Sequence, residues 1–295
     1  MDSKLITVFT PTYNRGTYLK RLYKSLLKQT QLDFEWLIVD DGSKDDTKEV
    51  VSSFQAEQNI QVRYVNQANA GKHIAINTGI KHAKGILFFI VDSDDVLPED
   101  SLQTIAIHYE QQRNQPDFGG VVGRRLSMDG QLIGTPSSMT TTYESTLNLR
   151  YKHNIWGDFA EVYLTSVLKE FPFPHIEHER FVPEGIVWNR IAQNYKVLFV
   201  NKGIYKGEYL ADGLTSKMVK IRMRSPQLAM QYYLDLAAYE VPFKEKLKAY
   251  INYWRFAFHS NSFYIKCLKN LGFFKSIIGA PFGWLMYLKD KKQYG

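Results

Sequence analysis

Asp92-Ser93-Asp94-Asp95 sets three carboxylates within four residues, directly after the apolar run Ile86-Leu87-Phe88-Phe89-Ile90-Val91. Unbroken apolarity of that length is the pattern of a parallel strand covered on both faces. The acids therefore gather at a strand's C-terminal end, where leaving them close and unpaired costs several kcal/mol. A cation is the natural counter-charge. All-oxygen ligation points to Mn2+ or Mg2+, ions that also hold phosphate oxygens. A helix N-cap ahead of Pro98-Glu99-Asp100 is the plainer account, but a cap needs a single Asp. Metal and diphosphate binding is the chemistry this stretch favours.

That chemistry needs a scaffold, and the first half of the chain alternates strand and helix patterns. Strands are predicted at Leu5–Thr10 (broken at once by Pro11), Phe34–Val39, Val62–Asn66 and Ile86–Val91. Helices are predicted at Tyr18–Lys28, about 46–58, Lys72–Ala83 and Glu99–Gln112. Such alternation gives right-handed βαβ units on a mostly parallel sheet, the α/β class, with ligands outside the carboxyl ends of the strands. Polar loops follow all four strands: Thr12-Tyr13-Asn14-Arg15, Asp40-Asp41-Gly42-Ser43, Gln67 to Lys72, and the carboxylate run itself. Turn chemistry explains any one of them; four at one edge make a site.

Further along, Gly119–Arg125 reads as a strand and Ser127–Ile133 as a hairpin turning at Asp129-Gly130. Helices are expected near Val162–Phe171 and Ile186–Tyr195, with a strand at Val197–Asn201. From Lys217 onward the pattern is helical and aromatic. The chain has 295 residues, 44% hydrophobic and 23% charged, which is globular and not disordered. Its net charge of +7 concentrates toward the C-terminus. A basic surface suits nucleic acid, anionic lipid or a phosphorylated substrate. Nucleic acid leaves the carboxylate-rich strand ends unexplained and repulsive to phosphate without a metal, so no nucleic-acid partner is expected.

The ordered set Thr10-Pro11-Thr12-Tyr13-Asn14-Arg15, Val39-Asp40-Asp41-Gly42-Ser43 with Asp46-Thr47, Asn69-Ala70-Gly71 with Asn77, and Val91-Asp92-Ser93-Asp94-Asp95 resembles the family-2 glycosyltransferases. These are inverting enzymes of the GT-A fold that use nucleotide-diphospho-sugars. The resemblance covers roughly the first hundred residues closely and fades after Leu214. It implies a GT-A catalytic domain over 1–215, divided into a donor half (1–98) and an acceptor half (99–215), and a helical C-terminal extension over 216–295. It places Pro11, Tyr13 and Arg15 around the nucleotide, with Asn69, Gly71 and Lys72 beside the donor. Asp41 would accept a hydrogen bond from a uracil N3–H, supported by Asp40; a carboxylate suits that donor. Asp92 would face the ribose or metal, with Ser93 beside the donor, and Asp94 would bind the metal, with Asp95 the alternative ligand. Lys72 opens a helix, whose N-terminus also attracts an anion.

Inversion in one displacement needs a general base for the acceptor hydroxyl. By resemblance it lies in Val182-Pro183-Glu184-Gly185-Ile186-Val187-Trp188, where Glu184 occupies the position usually held by Asp. The common Glu-Asp pair is absent, and Gly185 follows instead. Asp158 and Glu179 are the fallback bases. Trp156, Asp158 and Trp188 are candidates for contact with the sugar or acceptor, although Asp158 read as an N-cap of a following helix accounts for it equally well. His175-Ile176-Glu177-His178-Glu179 lacks zinc-site spacing and reads as a loop. Tyr209–Leu214 resembles a stretch that closes over the diphosphate. The altered acidic motif keeps a non-catalytic sugar-nucleotide-binding subunit as the alternative function.

Leu271–Leu288 is apolar but short for a membrane span, and Pro281 is expected to interrupt a helix there. Lys266, Lys269, Lys289, Lys291 and Lys292 flank it, as in an interfacial segment on an anionic membrane. A helix packed on the catalytic domain, or a homodimer contact, accounts for it almost as well. The single Cys267 fits a reducing compartment. The sequence thus predicts a cytoplasmic enzyme, peripheral on the inner face of the membrane, acting on a saccharide or lipid-linked saccharide in cell-surface polysaccharide synthesis.

Overall fold

Four strand–helix repeats open the chain in a computed structural model that describes residues 4–207, 218–260 and 264–294. They are β1 (Lys4–Thr12), α1 (Gly16–Leu26), β2 (Phe34–Asp40), α2 (Thr47–Glu57), β3 (Val62–Asn66), α3 (Lys72–His82), β4 (Gly85–Ile90) and α4 (Ser101–Gln112). There follow β5 (Phe118–Leu126), β6 (Thr141–Glu144), α5 (Thr146–Tyr151), β7 (Phe159–Leu164), α6 (Thr165–Glu170), α7 (Gly185–Asn194) and β8 (Lys196–Lys206). Helices α8 (Met218–Arg224), α9 (Pro226–Ala238), α10 (Phe243–His259), α11 (Tyr264–Leu271) and α12 (Phe273–Tyr294) complete the described chain. The segment Tyr209–Leu214, likened above to a closing stretch, lies outside the described residues.

The strands form one sheet in the order β3-β2-β1-β4-β7-β5-β8-β6. β1 to β4 run parallel, as the alternation predicts, while β7 is antiparallel to both β4 and β5, and β6 is antiparallel to β8. On one sheet face Ile6, Val8, Trp36, Ile38, Leu87 and Phe89 pack with Leu19 and Leu22 of α1, Phe54 of α2 and Ile105 of α4. On the other face Phe9 stacks on Phe88, and Gly79 of α3 lies so close to the Phe9 ring that a Cβ there would clash at 2.2 Å. Helices therefore cover both faces, which is why the strands read as continuous apolar runs.

Three expectations are corrected. β1 is not broken at Pro11; it continues to Thr12 beside β2. The Phe9 carbonyl accepts from Val91 N and that of Thr12 from Asp41 N. Alternation then turns the Pro11 nitrogen to the β4 side, where β4 has ended at Ile90 and no ladder bond is lost. The helix expected at Val162–Phe171 is half strand: Phe159–Leu164 forms β7, and only Thr165–Glu170 is helical. An apolar run this short is ambiguous between strand and helix, and the vacant edge of β4 decides it. Third, α12 runs through Pro281 as one helix. Pro281 sits on the exposed side, while Gly279 and Gly283 press close to α10 and hold both halves in line.

The chain divides into two compact units, Met1–Pro172 with Asn194–Glu208, and Phe173–Gln193 with Tyr209–Gly295. The first unit carries the whole sheet. The second joins α7 to the C-terminal helices, a division that differs from the sequence boundary at 215 in assigning Phe173–Gln193 to the helical part. Within it the Arg190 guanidinium pairs with Asp235 of α9 at 2.7 Å, and Gly185 lies against the Tyr232 ring.

Candidate functional site

Register brings the strand ends of the first unit level: Thr12 of β1 is the partner of Asp40 in β2, and Asp40 of Asn66 in β3. The sheet reverses its order of addition between β1 and β4, so the loops after these strands meet where an open α/β sheet binds its ligands. The loops are stitched together by polar side chains. Asn14, in left-handed backbone at φ 53°, donates its backbone N–H to Ser43 Oγ at 2.8 Å, and its side-chain Oδ1 accepts from Lys44 N at 2.7 Å. Asp40 accepts from Ser43 N at 2.8 Å and from the Tyr64 hydroxyl at 2.5 Å.

Asp41 is buried and reaches across to the loop after β3. Its Oδ1 accepts from Gln67 Nε2 at 2.7 Å and Ala70 N at 2.9 Å, and its Oδ2 from Gly71 N at 2.8 Å. A carboxylate has about four acceptor sites, so one site, on Oδ2, is left. Gly42 and Gly71 adopt φ of 81° and 100°, which side-chain-bearing residues rarely do, and Gly42 lies against the backbone of Asn69. Gly71 in turn sets Lys72 at the first turn of α3.

The acids after β4 have three different fates. Asp92 pairs with Lys72 at 2.8 Å and Asp94 with Arg15 at 2.7 Å; a third and a quarter of these side chains remain exposed, 33% and 26%. The Asp94 carbonyl also accepts from Arg21. Asp95 is buried, accepting from the Tyr205 hydroxyl at 2.5 Å and from Arg125 at 3.0 Å. The Arg125 guanidinium lies over the Tyr205 ring, 4.1 Å from its centroid, and the Tyr205 hydroxyl accepts from the Asp92 amide at 3.0 Å. Burial pushes the Asp92 carboxyl up, but the Lys72 ammonium, with Arg125 and Arg15, outweighs it and holds the group below the usual carboxylate range. For Asp95, burial and then the Asp92 charge win over Tyr205 and Arg125, and its pKa is pushed up to about 6. Ser93 is buried, whereas Tyr13 presents a ring 46% exposed at the end of β1. Arg125 and Tyr205 were not anticipated; a doubled Arg124-Arg125 ending an apolar strand was the one available signal.

Trp156 and Asp158 precede β7 and not a helix, so Asp158 is no N-cap. Because β7 is antiparallel to β4, its beginning lies at the edge where β4 ends, and Asp158 is close enough for its charge to act on Arg125. Trp156 is 39% exposed and meets the Tyr151 ring edge-on.

In the second unit, the Glu184 carbonyl accepts from Val187 and Trp188 at the start of α7. Trp188 is buried edge-on against Phe173 at 5.7 Å. Glu179, a fallback base, caps α9 by accepting from Gln227 N and Leu228 N, both at 2.8 Å; burial pushes its carboxyl up against these two bonds.

No group of three or more metal-ligating side chains occurs among the described residues. Asp92 and Asp94 keep partly accessible carboxylates, and one or two carboxylates suffice to hold a divalent ion whose shell is completed by substrate phosphates. No described helix is long and apolar enough to cross a membrane.

Comparison with known proteins agrees with this arrangement. The Glycosyl transferase family 2 profile matches residues 7–157, just over half of the chain. The chain is 29% identical over 245 residues to the uncharacterized glycosyltransferase EpsJ of Bacillus subtilis, spanning 80% of this chain and 70% of EpsJ. It spans much less, 41% and 15%, of two other curated glycosyltransferases it matches. The fold is shared with S. aureus TarS 1–349 in complex with UDP (TM-score 0.62, 20% identity, 86% of this chain and 72% of that one). It is shared too with the mannosyltransferase PcManGT from Pyrobaculum calidifontis in complex with GDP-Man and Mn2+ (TM-score 0.60, 17% identity, 99% and 89%). The sheet and its flanking helices are thus a GT-A fold, and the chain belongs to glycosyl transferase family 2.

Proposed function

We propose that this glycosyltransferase moves a sugar, with inversion, from a nucleotide-diphospho-sugar to a saccharide or lipid-linked saccharide in cell-surface polysaccharide synthesis. The observation that carries the reading is the alternation of Asp92 and Asp94 with Lys72 and Arg15 at one sheet edge. Anion-binding and cation-binding side chains interleaved in this way suit a diphosphate together with a divalent metal. Asp92 and Asp94 would hold the metal, which would supply counter-charge for the leaving diphosphate. Asp95, committed to Tyr205 and Arg125, is reserved for the loop's structure.

Both uracil and guanine nucleotides are seen in the structural neighbours, UDP and UDP-GlcNAc in one and GDP-Man in another, so the base must be argued from this chain. Asp41 retains about one free acceptor site. That suits the single imide N–H of uracil better than the two adjacent N–H groups of guanine. Tyr13 offers a ring face for the base. Glu184 takes the acceptor hydroxyl's proton as that oxygen bonds to the anomeric carbon and the bond to the diphosphate breaks.

Calorimetric titration with UDP and with GDP, each with and without Mn2+, tests this reading. UDP binding that needs Mn2+ and is lost in Asp94→Ala is expected, and Glu184→Gln should bind donor normally yet transfer roughly 100- to 10,000-fold more slowly. A preference for GDP would remove the Asp41 assignment. Near-normal turnover of Glu184→Gln would remove the base.

A further inference from the structure

α12 packs through small residues and turns its large ones outward. Ser276, Gly279 and Gly283 form the buried stripe, continued by Asp290. A Cβ on Gly279 would meet the Tyr250 carbonyl of α10 at 2.6 Å, and one on Gly283 the Ile251 carbonyl at 2.8 Å. Asp290 closes the stripe with a two-pronged ion pair to Arg255, at 2.6 and 2.5 Å. On the opposite side of the helix, at steps of four, three, four and three residues, stand Phe274, Ile278, Pro281, Leu285 and Leu288. All five are exposed, Phe274 by 81% and Leu285 by 61%. A surface helix of a water-soluble domain ordinarily shows the reverse pattern. Ile265 of the neighbouring α11 is likewise 75% exposed.

Charge says what covers this face. Across residues 264–294 the six lysines, Lys266, Lys269, Lys275, Lys289, Lys291 and Lys292, are all exposed, and the one acid, Asp290, is buried in its pair with Arg255. A second copy of the chain would bring six more like charges to the same rim and would have to seat Pro281 in the seam. An anionic surface matches the lysines and takes up the apolar ridge between them. We propose that the outer face of α12 docks on an anionic lipid bilayer, its ridge at the acyl boundary and its lysines among the headgroups. The reading is independent of the donor assignment.

The test is cosedimentation of the full chain with vesicles of phosphatidylcholine alone, and of phosphatidylcholine with about a third phosphatidylglycerol, at low and raised salt. The chain should partition onto the anionic vesicles only, more weakly as salt rises. Ile278→Glu with Leu285→Glu should lower partition at least about tenfold. Lys289→Ala with Lys292→Ala should weaken it about fivefold per lysine, while UDP binding, measured in parallel, stays unchanged. Absence of binding to anionic vesicles at low salt would overturn the proposal, as would undiminished binding of both variants. A concentration-dependent dimer abolished by the same glutamates would give the face to a second copy instead.

Discussion

The Tyr205 hydroxyl donates to Asp95 Oδ2 at 2.5 Å, linking the end of β8 to the carboxylate loop 110 residues earlier. The same oxygen accepts from the Asp92 amide, so one phenol fixes both ends of the loop. Tyr205→Phe leaves Asp95 with Arg125 alone and the Asp92 amide unpaired. Loss of about 1–3 kcal/mol of stability is expected, with weaker metal-dependent UDP binding. Denaturant unfolding and calorimetry of the same variant check the two effects.

Lys72 governs how Asp92 titrates. Its ammonium is the largest influence lowering that carboxyl, against burial, which raises it. A depressed carboxyl contributes stability above the ordinary carboxylate range and loses it as pH falls through the folded value. Lys72→Met removes the opposing charge and lets burial dominate, so the Asp92 pKa rises. The acid limb of UDP binding should therefore move to higher pH in the variant, which a calorimetric pH series reads directly.

Asp41 holds the loop after β3 by its contacts with Ala70 N and Gly71 N. Asn in its place is neutral and must turn one N–H2 toward donors it once accepted from. Amide exchange at Ala70 and Gly71 should accelerate by roughly 5- to 150-fold, as about 1–3 kcal/mol of local protection is lost. Unchanged exchange at these amides would mean that the loop is held by Gly42 and Gln67 instead.

The Arg255–Asp290 pair, with side chains only 12% and 3% exposed, should behave as a buried ion pair. Either single change, Arg255→Met or Asp290→Leu, should cost about 3–5 kcal/mol, whereas the double change should be near neutral. Each partner keeps one further contact, Asp290 with His259 and Arg255 with Asn252 Oδ1, both at 3.3 Å, so the two single changes should cost alike. A denaturant double-mutant cycle measures all three.

The donor half was legible because its signals are local. Leu19 and Leu22, the run Ile86–Val91 and Gly71 before Lys72 each carry their own pattern, and β1 to β4 with α1 to α4 formed in the order read, β1 running on through Pro11 to Thr12. The rest depends on partners distant in the chain. Phe159–Leu164 becomes β7 because β4 and β5 leave a place between them, which no window around Val162 contains. Asp95 looked equivalent to Asp94 until Tyr205 and Arg125 took it out of solvent. Pro281 read as a helix breaker, since the close approach of Gly279 and Gly283 to α10 is a tertiary fact. The packing of Trp188, a candidate for contact with sugar or acceptor, edge-on against Phe173 is a further contact that its own segment does not announce.

The link from Asp95 to Tyr205 also bears on the order in which the chain folds. β1, β2 and β3 pair across short crossovers, Ile6 with Phe34 and Trp36 with Val62, and β1 reaches β4 by pairing Lys4 with Gly85, whereas β8 must return across 110 residues to bring Tyr205 to the carboxylate loop. Contacts of long sequence separation carry the larger loop-closure entropy and tend to form later. Until β8 docks, Asp95 has neither its phenol nor its guanidinium. The strands of the donor half can then assemble early, while the acids that define it settle among the last parts of the sheet domain, a built-in delay between being folded and being competent.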